Sequence, residues 1–220
     1  MSVTQNITEL NKSIPSGVTL VAVSKTKPDK LILEAYETGH RDFGENYVQE
    51  LVEKASRLPK DIRWHFIGHL QTNKVKSILP VVHLVHGVDS LKLLVEINKQ
   101  AFKINKIIDC LLQIFISGEE TKFGFSFEEC EKIFNSGELQ NLKNIKVKGF
   151  MGMASNTDNF EQIKREFASL KIFHTKIQAG YFELPLLSFG MSSDYKIALE
   201  CGSNMLRIGS TIFGERIYPK

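Results

Sequence analysis

The sequence predicts a (β/α)8 barrel preceded by one additional N-terminal helix. Eight apolar, strand-like runs alternate with seven segments of helical spacing. Such alternation is typical of parallel strands joined by right-handed crossovers. The length of 220 residues lies near the lower limit for an eight-unit barrel. A doubly wound open sheet is the alternative, but the sequence has no Gly-x-Gly-x-x-Gly that follows a strand and opens a helix.

The predicted strands are short and rich in apolar and β-branched residues. The first contains an unbroken run from Val18 to Val23, which is typical of a strand buried on both faces. In chain order the predicted strands cover residues 18–24, 42–43, 62–67, 82–88, 107–116, 147–153, 185–189 and 205–208.

The predicted helices show apolar residues three or four positions apart. The additional helix covers about residues 4–12, and Pro28 lies near the first turn of the next one. The seven intervening helices are marked by Leu31/Ile32/Ala35, Val48/Leu51/Val52/Ala55, Val75/Ile78/Leu79, Leu91/Leu94/Val95/Ile97, Phe127/Cys130/Ile133/Phe134, Ile163/Phe167/Leu170/Phe173 and Ile197/Ala198/Cys201.

The composition is that of an ordinary globular protein, with 42% hydrophobic and 24% charged residues. We expect a single domain over residues 1–220. A net charge of +3 with dispersed lysines does not indicate a nucleic-acid partner. We also expect no membrane span and no signal peptide. Cys110, Cys130 and Cys201 are odd in number and far apart, which favours a reducing cytoplasm over disulfides or a zinc site.

Lys25 follows the first buried strand directly. In α/β folds, ligands bind at this end of a strand. Partial burial can lower the pKa of a lysine and make it an amine that forms Schiff bases. A solvated lysine at a strand terminus is the alternative. Lys27 has the same strand parity as Lys25, and we expect it near the same site.

Two late segments are rich in hydrogen-bond donors. The segment 188–194, with Gly190, Ser192 and Asp194, follows the seventh strand and precedes a helix over about residues 195–200. Gly209, Ser210 and Thr211 follow the eighth strand. A phosphate site is common in the loops after strands seven and eight of such barrels. Two ordinary capping turns are the alternative.

Arg207 ends an apolar strand, so we expect its guanidinium at the barrel mouth and paired with another group. A carboxylate, a phosphate or the ring nitrogen of a pyridine cofactor would each suit it. Together these features indicate pyridoxal phosphate. Lys25 would bind its aldehyde, Arg207 would bind its ring nitrogen, and the two loops would bind its phosphate.

Other polar residues are predicted to be structural. His65 and His69 do not share a helical face, and His83 and His86 should point to opposite faces of a strand. Neither pair has a metal-ligand pattern. Glu45 and Glu50 are interpreted as a helix start and a solvated face.

Beyond these residues, the chain resembles the pyridoxal phosphate homeostasis protein family, which folds like the N-terminal barrel domain of alanine racemase. The resemblance spans almost the whole chain in order. One departure is His69, where a proline or small residue is expected. The matching segments are Ala22-Val-Ser-Lys-Thr-Lys-Pro28, Phe43-Gly-Glu-Asn-Tyr-Val-Gln-Glu50, Trp64-His-Phe-Ile-Gly68, Leu70-Gln-Thr-Asn-Lys74, Lys122-x-Gly124, Gly149-Phe-Met-Gly-Met153, Ser188-x-Gly-Met-Ser-x-Asp194 and Arg207-Ile-Gly-Ser-Thr-Ile-Phe-Gly214.

The resemblance implies specific contacts with pyridoxal 5'-phosphate. It makes Lys25 the Schiff-base lysine that holds the cofactor as an internal aldimine, and it places Arg207 at the pyridine nitrogen. Asn46 would lie beside the ring. Met191, Ser192, Gly209 and Ser210 complete the expected cofactor-binding set.

The resemblance also implies control of free pyridoxal phosphate with little or no catalytic turnover. Racemisation needs a base on each face of the substrate. Alanine racemase takes its second base, a tyrosine, from an additional β domain and a neighbouring subunit, and we expect no such domain here. An arginine at the ring nitrogen also weakens the ring as an electron sink. We expect a cytoplasmic monomer whose partners are pyridoxal phosphate, amino acids and apoenzymes that use the cofactor.

A weak amino-acid racemase is the second hypothesis, with Tyr47 as the only nearby tyrosine that could act as a base. A third is an unrelated barrel enzyme acting on a phosphorylated sugar. That enzyme would use the phosphate loops but would show no visible absorption from a lysine-bound cofactor.

Overall fold

A computed structural model of the protein describes residues 2–118, 123–180 and 183–215. Lys122 of the matching segments lies outside these ranges. Eight parallel strands form a closed barrel in the order β1-β2-β3-β4-β5-β6-β7-β8. The last strand pairs with the first through Thr19–Met205 and Ala22–Ile208. The predicted (β/α)8 barrel with an added N-terminal helix is therefore confirmed.

The strands lie where the apolar runs predict them, and β4 and β8 have the predicted ends. The others differ by one to three residues at their ends, with β2 extending through Glu45 and β6 starting at Ile145. Their bounds are β1 Thr19–Val23, β2 Asp42–Glu45, β3 Arg63–Phe66, β4 Val82–Val88, β5 Ile108–Gln113, β6 Ile145–Met151, β7 Leu186–Ser188 and β8 Met205–Ile208.

The helices surround the barrel. Two short ones, α7 and α10, were not predicted, and a 3-10 turn over Thr72–Lys74 precedes α4. Their bounds are α1 Val3–Ser13, α2 Asp29–Tyr36, α3 Val48–Arg57, α4 Val75–Ile78, α5 Leu91–Lys103, α6 Phe127–Asn135, α7 Glu138–Asn141, α8 Phe160–Gln178, α9 Tyr195–Glu200 and α10 Ser210–Phe213.

Local capping explains where several helices begin. The Ser2 side chain accepts a hydrogen bond from the Gln5 amide while the Gln5 side chain accepts from the Ser2 amide, so α1 starts with a capping box. Ser126 and Glu129 form the same arrangement at α6. Among the described residues, no helix is long and apolar enough to cross a bilayer. The three cysteines are free thiols.

The apolar core has two layers. A large one lies between the sheet and the helices, and Phe43, Phe66 and Phe150 are fully buried in it. A small one fills the barrel interior and consists of Val21, Leu84, Leu111, Met151 and Met205. Residues with the inward parity at the carboxyl ends of the strands therefore meet above this small layer.

One expectation about strand faces is wrong. Simple alternation puts His83 and His86 on opposite faces, but both rings approach His65, with centroid separations of 5.4 and 5.1 Å. The register between β3 and β4 shifts at Trp64/His65, so alternation is interrupted there.

Candidate cofactor-binding site

A cavity of about 330 Å³ opens at the carboxyl ends of the barrel strands. Its size is in the range of small-molecule sites. All seven residues expected to bind the cofactor line it. The described lining is Val23, Lys25, Lys27, Asn46, Ile67, Met153, Met191, Ser192, Ser193, Arg207, Gly209, Ser210 and Gly214.

Lys25 lies in the turn after β1, and helix α3 holds the backbone on both sides of it. Lys54 Nζ donates to the Ser24 carbonyl at 2.7 Å, and the Thr26 amide donates to Glu50 Oε1 at 2.6 Å. Thr26 has a φ of 62°, in the left-handed region that β-branched residues rarely occupy. These contacts fix the turn that presents Lys25 to the cavity.

Lys54 is itself buried between two carboxylates. Its Nζ lies 2.8 Å from Glu45 Oε1 and 2.6 Å from Glu50 Oε1. Glu45 is fully buried, and its Oε1 also accepts from Ser24 Oγ at 2.6 Å. Its Oε2 has no hydrogen-bond partner among the described residues. Burial raises the pKa of Glu45 to about 7, although Lys54 and Ser24 act in the opposite direction.

The interpretation of Glu45 and Glu50 as a helix start and a solvated face is therefore wrong. Glu45 is the last residue of β2 and lies under α3. Only the fold reveals its partner, because Lys54 is nine residues away and on another element.

The two donor-rich loops are adjacent in space. Gly190 turns the chain with a φ of +101°, and an added Cβ would lie 2.6 Å from Ala198 Cβ. The Met191 amide donates to Asp194 Oδ1, and the Gly209 amide donates to Ser192 Oγ at 3.4 Å. The loop after β7 and the loop after β8 thus form one wall with hydroxyl and amide donors, as an anion site requires.

Arg207 lies on β8 and is 4% exposed. Its Nη1 donates to the Ser188 carbonyl at 2.9 Å and to Ser188 Oγ at 2.8 Å, while Nη2 donates to the Gly152 carbonyl at 3.0 Å. Burial lowers the pKa of Arg207 to about 10, with Asp194 acting in the opposite direction. Arg207 therefore remains a cation at neutral pH.

Lys27 reaches the C-terminal end of α10. Its Nζ donates to the carbonyls of Phe213, Gly214 and Glu215 at 3.1, 3.0 and 3.0 Å. Lys27 therefore anchors the short helix that begins at Ser210, beside the cavity.

Asn46 follows β2 and lies close to a glycine of the next strand end. A Cβ at Gly68 would be 2.3 Å from the Asn46 carbonyl oxygen, so only glycine allows this approach. Ile67 and Met153 also line the cavity. Sequence reasoning missed both, although each has inward parity at the end of its strand. Among the described residues, no group of three or more histidine, cysteine, aspartate or glutamate side chains is arranged to hold a metal ion.

Comparison with known proteins gives consistent matches. The family model for the alanine racemase N-terminal domain matches residues 2–217. The pyridoxal phosphate homeostasis protein of Aquifex aeolicus is 41% identical over 201 residues, which cover 90% of this chain and 87% of that protein.

Solved structures share the fold over almost the whole chain. PipY of Synechococcus elongatus PCC7942, solved with PLP bound, has a TM-score of 0.88 and 30% identity, covering 97% of this chain and 100% of that one. An alanine racemase of Clostridium difficile 630 has a TM-score of 0.81 at 15% identity, and this chain covers 56% of it. The likeness to the racemase shows the fold alone.

Proposed function

This chain belongs to the alanine racemase N-terminal domain family, and on that premise we propose that it binds pyridoxal 5'-phosphate and takes part in the homeostasis of that cofactor. The relatives named above support this, since one is a pyridoxal phosphate homeostasis protein and another was solved with PLP bound. The site residues, the single-domain organisation over residues 1–220 and the monomeric state are parts of the same proposal.

One observation carries the proposal: a single cavity collects an amine, a buried cation and a wall of hydroxyl and amide donors. When bound, pyridoxal phosphate supplies an aldehyde that condenses with an amine and then absorbs visible light. Lys25 would provide the amine, Arg207 would bind the ring nitrogen and Asn46 would contact the ring. Ser192, Gly209 and Ser210 would hold the phosphate, and Met191 would complete the wall beside them.

The same residues favour holding the cofactor over catalysis. Arg207 keeps its proton at neutral pH, so it would donate to the ring nitrogen and oppose protonation there, which would weaken the ring as an electron sink. Tyr47 is 57% exposed and is absent from the described lining of the cavity. We propose amino acids and apoenzymes as further partners. A cytoplasmic location fits the three free cysteines.

The test is the visible spectrum of the protein saturated with pyridoxal phosphate. Lys25→Ala should abolish the visible band, because the amine is lost. Lys30→Ala is the matched control, since Lys30 is exposed on α2, and it should keep the band. If Lys27→Ala lost the band and Lys25→Ala kept it, Lys27 and not Lys25 would be the lysine that binds the cofactor. A wild-type protein with no band would favour a sugar-phosphate enzyme.

A further inference from the structure

A row of polar side chains crosses the barrel interior from Asp42 to Arg207. His65 Nε2 lies 3.0 Å from Asp42 Oδ1, and His65 Nδ1 lies 2.9 Å from His86 Nε2. His86 Nδ1 lies 3.4 Å from Ser188 Oγ, which accepts from Arg207 Nη1 at 2.8 Å. Both histidines and Ser188 are at most 1% exposed. Five strands therefore contribute to one continuous row.

Asp42 determines which ring nitrogen of His65 carries a proton. Burial opposes ionisation of Asp42, but hydrogen bonds from Arg63 and His65 outweigh it and hold the pKa of that carboxyl well below its usual range. An ionised carboxylate only accepts, so His65 carries its proton on Nε2. In a neutral ring the other nitrogen, Nδ1, is then an acceptor.

The donors and acceptors at His86 and Ser188 follow in the same way, because each hydrogen bond needs one donor and one acceptor. His86 must donate from Nε2 to His65, which leaves His86 Nδ1 as the acceptor for the Ser188 hydroxyl proton. Ser188 Oγ in turn accepts from Arg207. Every hydrogen bond thus runs in one direction, from a cation at the barrel mouth to an anion at the other end. Hydrogen bonds aligned in this way polarise one another.

The surroundings keep both histidines neutral. Burial lowers the pKa of His65, and it is opposed by Asp42 and reinforced by His83 and Arg63. Burial also lowers the pKa of His86 well below its ordinary value, and His65, Arg207 and His83 act in the same direction. A proton added to Nδ1 of His65 would make His86 donate from Nδ1 to Ser188, and the Ser188 hydroxyl proton would then lose His86 as its acceptor.

The row fixes the orientation of the Arg207 guanidinium. Three of its five N–H donors bind Ser188 and Gly152, which leaves two without a partner among the described residues. These hydrogen bonds therefore fix the plane of the guanidinium from the side of the barrel interior. Arg207 also lines the cavity.

We propose that the polar row aligns the Arg207 guanidinium with a ligand in the cavity through hydrogen bonds that all run in one direction. Its positioning residues are Ser188, His86, His65 and Asp42. The hydrogen bonds of the row are a property of the protein alone. Only the identity of the ligand, pyridoxal phosphate, rests on the proposed function.

The first measurement uses the protein without ligand. Nitrogen chemical shifts of the histidine rings at neutral pH should show His65 and His86 neutral and protonated on Nε2. Ser188→Ala should shift the His86 Nδ1 signal, because its donor is lost. A protonated ring, or an Nδ1–H form of either histidine in the wild type, would contradict the proposed direction of the hydrogen bonds in the row. This measurement tests that direction even where a variant does not fold.

The second measurement is the dissociation constant for pyridoxal phosphate. Ser188→Ala should raise it about tenfold, in line with one lost hydrogen bond to a charged group. His86→Phe should raise it by less, because that variant removes only the neutral acceptor of the Ser188 hydroxyl proton. Ser188→Thr keeps the hydroxyl and should restore binding. His174→Gln is the control, since His174 is a buried histidine outside the row that contacts the Leu184 carbonyl at 2.7 Å.

Wild-type affinity in a folded Ser188→Ala protein would contradict the positioning role. A wild-type protein that does not bind pyridoxal phosphate would instead contradict the proposed function, and the ring shifts would still decide whether the hydrogen bonds of the row run in one direction.

Discussion

At the scale of single residues, the buried cluster of Glu45, Lys54 and Glu50 links stability to the site. Lys54 Nζ contacts both carboxylates and the Ser24 carbonyl, while Glu50 holds the Thr26 amide. Buried ion pairs contribute little net stability, because desolvation offsets the attraction. Their contribution here is geometric, since the cluster holds both neighbours of Lys25.

The raised pKa of Glu45 predicts a pH effect on stability. The pKa is about 7 in the folded protein against an ordinary value of 4.5. The folded state therefore binds this proton more tightly, so the associated stability is complete below about 4.5 and is lost as the pH rises through about 7.

We expect the free energy of unfolding of the wild type, relative to Glu45→Gln, to fall by roughly 2–3 kcal/mol over this range. Urea denaturation at a series of pH values measures the difference. Using the difference removes the histidine contributions, which change in the opposite direction. Parallel curves for the two proteins would show that Glu45 ionises at its ordinary pKa.

At the scale of elements, the wall formed by the loops after β7 and β8 depends on contacts that cross the chain. Gly209 donates to Ser192, which joins the two loops. The C-terminal end of α10 is held by Lys27 from the β1 side, and its Ile212 carbonyl accepts from Asn6 Nδ2 of α1 at 2.9 Å. A helix as short as α10 is stabilised by such contacts and not by its own propensity.

Lys27→Met should loosen α10. The variant loses three hydrogen bonds from a cation to the last carbonyl of the helix and to the two carbonyls that follow it, so we expect the Ile212 and Phe213 amides to exchange with solvent about tenfold faster. Hydrogen–deuterium exchange measures this, with Lys30→Met as the control. Unchanged protection of α10 would mean that its packing suffices without Lys27.

At the scale of the whole molecule, closure of the barrel gathers residues from both ends of the chain. Lys25 and Asn46 come from the first two strand ends, whereas Met191 and Arg207 come from the last two. The same closure buries His65, His86, Ser188 and Arg207 of the polar row in the barrel interior. The molecule thus supplies the amines of Lys25 and Lys27 and a fixed cation to the cavity, and no tyrosine belongs to its described lining.

We accordingly expect no appreciable racemase turnover. Incubation of the loaded protein with L-alanine in deuterated water should leave the α-hydrogen and the optical activity of the amino acid unchanged over many hours, because the described lining of the cavity holds no tyrosine to act as the second base. Rapid deuterium incorporation with loss of optical activity, abolished in Tyr47→Phe, would instead support the racemase hypothesis.

The sequence alone determined the architecture and which segments of the chain meet at the cavity. Buried parallel strands appear as short apolar runs, so the β segments could be located and ordered before their pairing was known. Once eight such units were identified, barrel geometry required their carboxyl ends to meet. That is why Lys25, Arg207 and Ser210 could be assigned to one site although 185 residues separate the first from the last, whereas Asn46 was placed there by the family resemblance.

Only the tertiary structure decided which polar groups pair inside the fold. The burial of Glu45 depends on Lys54 and Ser24, and the row through His65 and His86 depends on a register shift that no periodicity reveals. The positions of α7 and α10 also escaped prediction, because neither segment has apolar residues three or four positions apart, as α4 has at Val75 and Ile78. The physical reason is common to all of these: apolar burial follows local periodicity, whereas a buried charge or ring nitrogen is satisfied by partners that are distant in the chain.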